Sequence, residues 1–262
     1  MSEAWADWLS YRPSDFLMFS PRNYWRLFEL HNAAWWPWQA ITLTLGAAAG
    51  VTAYRGGATA QRWVPFGLAV AWGLAAWAFH VERYMPINWA ANGLAWLFAA
   101  QALMLAGLAL LPGTFALASA AGAAGAAGAA GAGRLRGRWQ SASALRFRAA
   151  IALWLFALVL YPCLAPLQGR PLAQAEVIGL APDPTVIATL AWLLATPGQA
   201  AARWSHGLRN AAWALALTCA AASAATLATM GEPQALGLVL AIVLAAAFGQ
   251  RRPRGGRVPP ER

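Results

Sequence analysis

"APDPTVIATLAWLLATPG", residues 181–198, decides how this chain is threaded. Asp183 is a helix-capping residue type and Pro184 suits a first helical position, while Pro197 and Gly198 stop the helix. The apolar stretch between them, 184–196, is shorter than the about 20 residues needed to cross a hydrocarbon core about 30 Å thick. It reads as a short span, a helix prolonged past the proline, or a re-entrant hairpin. Six longer apolar blocks surround it, at 34–54, 63–79, 88–111, 147–165, 210–230 and 233–248.

Charge placement chooses among these readings. The chain has no lysine, so its nineteen basic side chains are all arginine. Seven spans with the N-terminus outside put Arg55, Arg62, Arg134, Arg136, Arg138, Arg146, Arg148, Arg203, Arg209 and the arginines from 251 onward on the cytoplasmic side, with Glu261 as the one acid. Arg12, Arg22, Arg26, Arg83 and Arg170 stay outside with the other eight acids. Arginine enrichment of cytoplasmic loops is the expected bias. If block 184–196 did not cross, the C-terminal arginines would have to be translocated. The expectation is therefore an all-α integral membrane protein: a bundle of about seven transmembrane helices behind an N-terminal interfacial amphipathic helix, in a bacterial inner membrane, with its C-terminus cytoplasmic.

Composition agrees. Of 262 residues 60% are hydrophobic and 11% charged, against about 25% charged in a soluble domain. The net charge of +10 lies in clusters beside the spans, so anionic lipid head groups are the expected partners and nucleic acid is not. Cys163 and Cys219 form neither a disulfide framework nor a zinc-ligand spacing. The N-terminus lacks the pattern of a secretory signal peptide, so the first apolar block is expected to remain as an anchor. Organisation follows: an external segment at 1–33, three spans in 34–112, an Ala/Gly-rich basic cytoplasmic linker at 113–146, four spans in 147–249, and a basic tail expected to be disordered at 250–262.

Ahead of the first span, Ser20-Pro21 marks a helix start. Tyr24, Leu27, Phe28 and His31 then share one face, with Arg22, Arg26 and Glu29 on the other. Such a helix would lie in the outer interface, with Trp35, Trp36 and Trp38 at headgroup depth and Pro37 turning the chain inward. The same topology brings Glu29, His31, His80, Glu82, Asn88, Tyr161 and Asp183 to that side. His80 and Glu82 are thus the catalytic candidates, and His31 with His80 the metal candidates, although no pair has a zincin-like spacing. Gln39 and Gln101 are expected to hydrogen-bond between helices. No ionisable residue falls near a midplane, which argues against ion-driven transport. Without a lysine there can be no retinal Schiff base.

The order "SPRNYWRLFELHNAAWWPWQ", "WAFHVERYMPINWAA", "LFAAQALMLAGLAL", "LYPCLAPLQG" and "GLAPDPTVIATLAWLL" is similar to an uncharacterised family of bacterial multi-pass membrane proteins, domain of unknown function sixty sixty-four. The resemblance runs from Phe19 to Phe248, leaving out the Ala/Gly linker and the tail. Its distinctive pieces are Asn32 with Trp36, Pro37 and Gln39; His80 with Ile87 and Asn88; Tyr161 with Pro162; and Pro182, Pro184 and Thr185. The chain departs from the pattern at Asp183, where a small or cysteine-like residue is expected. The resemblance implies an inner-membrane protein and adds weight to Asn32, Trp36, Gln39, His80, Asn88, Gln101, Tyr161 and Thr185 as binding positions; it supplies no reaction and no cofactor. Three functions follow as expectations. First comes a non-catalytic protein binding a small ligand or a membrane-protein partner. Second is a permease for a neutral or weakly polar solute, near Gln39, Gln101 and Thr185. Third is an outer-interface enzyme or metal site using His80, Glu82 and His31.

Overall fold

In the computed structural model residues 18–55, 58–110, 134–196 and 203–249 are described, without the side chains of 58, 134–143, 203 and 204. Most of the expected external segment, the Ala/Gly repeat and the basic tail lie outside the described residues. Within them every regular element is a helix. In order these are α1 (Pro21–Ala34), α2 (Trp38–Arg55), α3 (Ala58–Leu74), α4 (Ala91–Leu110), α5 (Arg134–Leu155), α6 (Pro182–Ala195), α7 (Arg203–Thr229) and α8 (Gln234–Gly249). Two of the rods change pitch without breaking. α3 runs on as π-helix through Ala75–Tyr84, and α5 through a π segment, Phe156–Leu160, into a last α-helical stretch, Tyr161–Leu167. Pro162 has no N–H to return to the preceding turn, and the wider pitch falls just before it. The basic stretch assigned to a flexible linker is helical from Arg134 onward, as the start of α5.

Among the described residues four helices are long and apolar enough to cross a membrane: Thr59–Tyr84, Ala91–Leu110, Ala144–Leu167 and Ser205–Thr229. Gln234–Gly249 is apolar but shorter. α6 behaves differently from all of these. Every residue from 175 to 196 is buried, and a helix apolar on all sides belongs inside a bundle. At 14 residues it is about 21 Å long, so both ends are met by protein within the bundle. The neighbours run antiparallel to it. Tyr161, late in α5, meets Asp183 at its start, and Arg146, early in α5, meets Leu194 at its end. Ser223 and Arg209 of α7 repeat that order. Midway, Trp72 of α3 donates from Nε1 to Thr189 Oγ1 over 2.7 Å.

α1 begins as the sequence predicts. Ser20 caps it, its hydroxyl accepting from the Asn23 N–H, and Pro21 takes the first position. Its apolar face, joined by Trp25, is turned against the bundle rather than toward lipid. Phe28 packs on Phe79 at 4.7 Å between ring centroids, and Tyr24 edges onto Tyr84. Arg26 and Glu29 pair on the outer face.

Close approach of α2 to α5 depends on glycine. Trp154 donates from Nε1 to the Gly46 carbonyl, and a Cβ at Gly50 would stand 2.5 Å from that same indole nitrogen. A methyl at Gly67 or Gly93 would meet nothing within 4 Å. Gly50→Ala is expected to destabilise by about 1–3 kcal/mol through overpacking. Gly67→Ala and Gly93→Ala should be neutral or slightly stabilising, since alanine is the better helix former. Thermal unfolding in detergent of the three variants checks the contrast.

Candidate functional site

Polar side chains converge where α6 begins. Asp183, 1% exposed, does not cap its helix: the N-cap is Ala181, and Pro182 holds the first position. Its carboxylate instead accepts from Tyr161 Oη at 2.9 Å and from Ser223 Oγ. Ser223 lies six residues inside the Thr229 end of α7, so the carboxyl sits about 9 Å in from that end. The preceding loop folds into the protein. Gly179, at φ +87°, lets the chain turn against Thr42, and its N–H donates to Thr185 Oγ1, whose own hydrogen goes to the Ala181 carbonyl. Backbone without regular structure is stable at such depth when protein surrounds it.

Beside Asp183 stands Glu176, also 1% exposed, which accepts from Gln234 Nε2 at the head of α8 over 3.4 Å. Above them the Arg170 guanidinium stacks on the Trp25 ring at 3.5 Å, and Trp25 donates from Nε1 to Glu232. Burial, and then the charges of Asp183 and Glu176, hold the Tyr24 hydroxyl well above its ordinary range. α1 thus covers two buried carboxyls, two buried tyrosines and a buried amide, with a half-buried serine and arginine beside them.

The residues anticipated from sequence divide. Tyr161 belongs to this set, while Thr185 holds the neighbouring loop through the Gly179 N–H. Asn32 ties α1 to the loop, donating to the carbonyls of Ala173 and Ala175, and Gln39 donates back to the Asn32 carbonyl. Gln101 donates to the Ala212 carbonyl across α4 and α7, the interhelical bond expected of it. Asn88 accepts from the Ala90 N–H just ahead of α4. Trp36 is 72% exposed. His80 turns inward, with Nδ1 2.9 Å from the Ala75 carbonyl and its ring on Phe98, while exposed Glu82 accepts from Trp77. His31 packs on Phe79. Burial, then the Arg83 charge, lowers its pKa to about 4, which keeps it neutral. Among the described residues no three His, Cys, Asp or Glu side chains converge as metal ligands.

No family model, curated protein or solved structure matches the chain. What it can bind is therefore read from its own surfaces and cavities.

A cavity of about 320 Å³ opens between α2, α5 and α6, lined by residues that include Gly50, Tyr54, Phe147, Trp154, Leu158 and Trp192. The lining is almost wholly apolar. Tyr54, Phe147 and Ala195 place it toward the C-terminal end of α6, away from the carboxyls. Arg55 and Arg148, both exposed, directly follow the lining residues Tyr54 and Phe147. Neither the cavity nor Glu176 was found by sequence reasoning. The cavity joins segments about 100 residues apart, from Ala47 to Ala150, with no local pattern. Glu176 did leave a signal: a lone acid enclosed by apolar residues in "AEVIGL".

Proposed function

We propose that this chain is a multi-pass protein of the bacterial inner membrane, non-catalytic, that holds an acyl chain of an anionic lipid in the cavity between α2, α5 and α6. The cavity carries the reading. Its volume lies at the lower end of the range for small-ligand sites and holds about ten groups of roughly 30 Å³ each. Its walls suit methylene groups. Arg55 and Arg148, each one position past a lining residue, suit a phosphate, and basic side chains next to a span favour anionic lipid. The N-terminus outside and the arginine-rich side cytoplasmic is the orientation that goes with this reading. The alternatives have weaker support, because Gln39, Gln101 and Thr185, which a polar permeation path would use, each give a donor to a backbone carbonyl.

Native mass spectrometry of the protein from mild detergent tests the proposal. Val51, exposed at the rim, can be enlarged without disturbing the core. Val51→Trp is expected to lower occupancy by a co-purified lipid about tenfold, which corresponds to about 1.4 kcal/mol. Arg55→Gln with Arg148→Gln should retain lipid but lose the preference for an anionic head. Unchanged lipid occupancy in Val51→Trp would refute the assignment.

A further inference from the structure

Two unpaired oxygens belong to one side-chain pair beneath α1. Glu176 Oε1 accepts from Gln234 Nε2, yet Glu176 Oε2 and Gln234 Oε1 have no partner, although the two residues are 1% and 2% exposed. Each is an acceptor, so the two cannot satisfy one another unless a proton is added. Leaving a polar atom buried and unpaired costs about 1–3 kcal/mol, and more for a charged group. A proton on Glu176 Oε2 removes both deficits. The carboxyl then presents one donor and one acceptor to a carboxamide that presents the complementary pair.

The second observation is Arg170. Its Nε and Nη1 have no acceptor, while Nη2 donates to Gln168 and the plane rests on Trp25. Glu176 feels its charge, but no ion pair joins them among the described residues. Asp183 faces Glu176 from α6, Glu232 from the turn before α8, and Tyr161 and Tyr24 from α5 and α1. Arg170 is the one cation in that set.

We propose that Glu176 is a proton-binding site, carried as the acid and paired with the Gln234 carboxamide, which exchanges Gln234 for Arg170 when it ionises. The step is a simple dissociation: the O–H bond of Glu176 breaks, the proton passes to water, and the carboxylate takes the unfilled donors of Arg170. Drawing Arg170 off Trp25 loosens α1, so pH on that face is read by its cover. Burial, then Asp183, raises the Glu176 pKa well above the ordinary carboxylate range, which agrees. The sign follows from linkage. A carboxyl whose folded pKa is raised destabilises the fold as pH climbs from its unfolded value through its folded one.

Infrared spectra and thermal unfolding of the full chain in detergent, across pH, test this. The carbonyl stretch of a protonated carboxylic acid should persist at neutral pH in the wild type, vanish in Glu176→Gln and survive in Asp183→Asn. Glu176→Gln, which mimics the acid, should match the wild type in mild acid and lose less stability in alkali. Protection of the α1 amides, measured against the base-catalysed intrinsic exchange rate, should fall with pH in the wild type but not in that variant. A wild-type spectrum without the acid band overturns the proposal whether or not the variant folds. So does a band that only Asp183→Asn removes, or α1 exchange that follows pH identically in both proteins.

Discussion

Arg209→Met is expected to destabilise the folded chain by about 2–4 kcal/mol, because two carbonyls at the buried end of α6 lose their donors. The last carbonyls of a helix have no intrahelical partner, and at this end water does not replace one. Arg209, 7% exposed, donates from Nε to Thr196 O at 3.1 Å and from Nη2 to Leu193 O at 2.6 Å. Arg146 Nε serves Leu194 O at 2.7 Å, and the Thr196 hydroxyl returns to Trp192 O. Removing Arg209 relieves the burial of its own charge, which sets the estimate below the sum of two charged hydrogen bonds. Arg209→Lys should fall between, since an ammonium lacks the planar fork that reaches both oxygens. Detergent unfolding at fixed pH measures the series. A Met variant as stable as the Lys variant would show that the cap carries no weight.

At the opposite end, Asp183→Leu is expected to cost about 2–4 kcal/mol by stranding the Tyr161 and Ser223 hydroxyls. Tyr161 is fully buried, so its hydroxyl cannot turn to water. Asp183→Asn retains one acceptor and should cost about half as much. The diagnostic variant is the triple, with Tyr161→Phe and Ser223→Ala added to Asp183→Leu. Replacing all partners of a buried hydrogen bond by apolar groups is far milder than removing one, so the triple should recover at least 1 kcal/mol over Asp183→Leu alone. A triple that is no more stable would mean that Asp183 acts through its charge at the helix start and not through these two hydroxyls.

Together the two ends explain why a 14-residue helix is stable at the centre of this bundle. Its macrodipole meets a carboxyl where it begins and two guanidiniums where it ends, both favourable. The carboxyl is α6's own, and the guanidiniums come from α5 and α7, which outrun it in both directions.

Much of this was legible in the sequence, for local reasons. Ser20-Pro21 starts α1 because a hydroxyl and a fixed φ act within one turn. The i, i+3, i+4 spacing of Tyr24, Leu27, Phe28 and His31 fixes which face is buried, and the apolar blocks mark the helices. The stop expected before Pro197 agrees with a helix that ends at Ala195 and has Thr196 as its C-cap. The polarity of Gln101 within an apolar block also marked its interhelical bond. Only the tertiary structure decided that residues 182–195 lie buried on every side at the centre of the bundle, since that depends on how α5, α7 and α8 surround them. It moved Asp183 from cap to buried acceptor, because its partners lie 22 and 40 positions away. It also turned His80 inward and Glu82 outward, and opened an apolar cavity between helices whose sequences carry no mark of one another. Periodicity records which way a side chain leaves its own helix, but what it meets there is set by packing between distant segments.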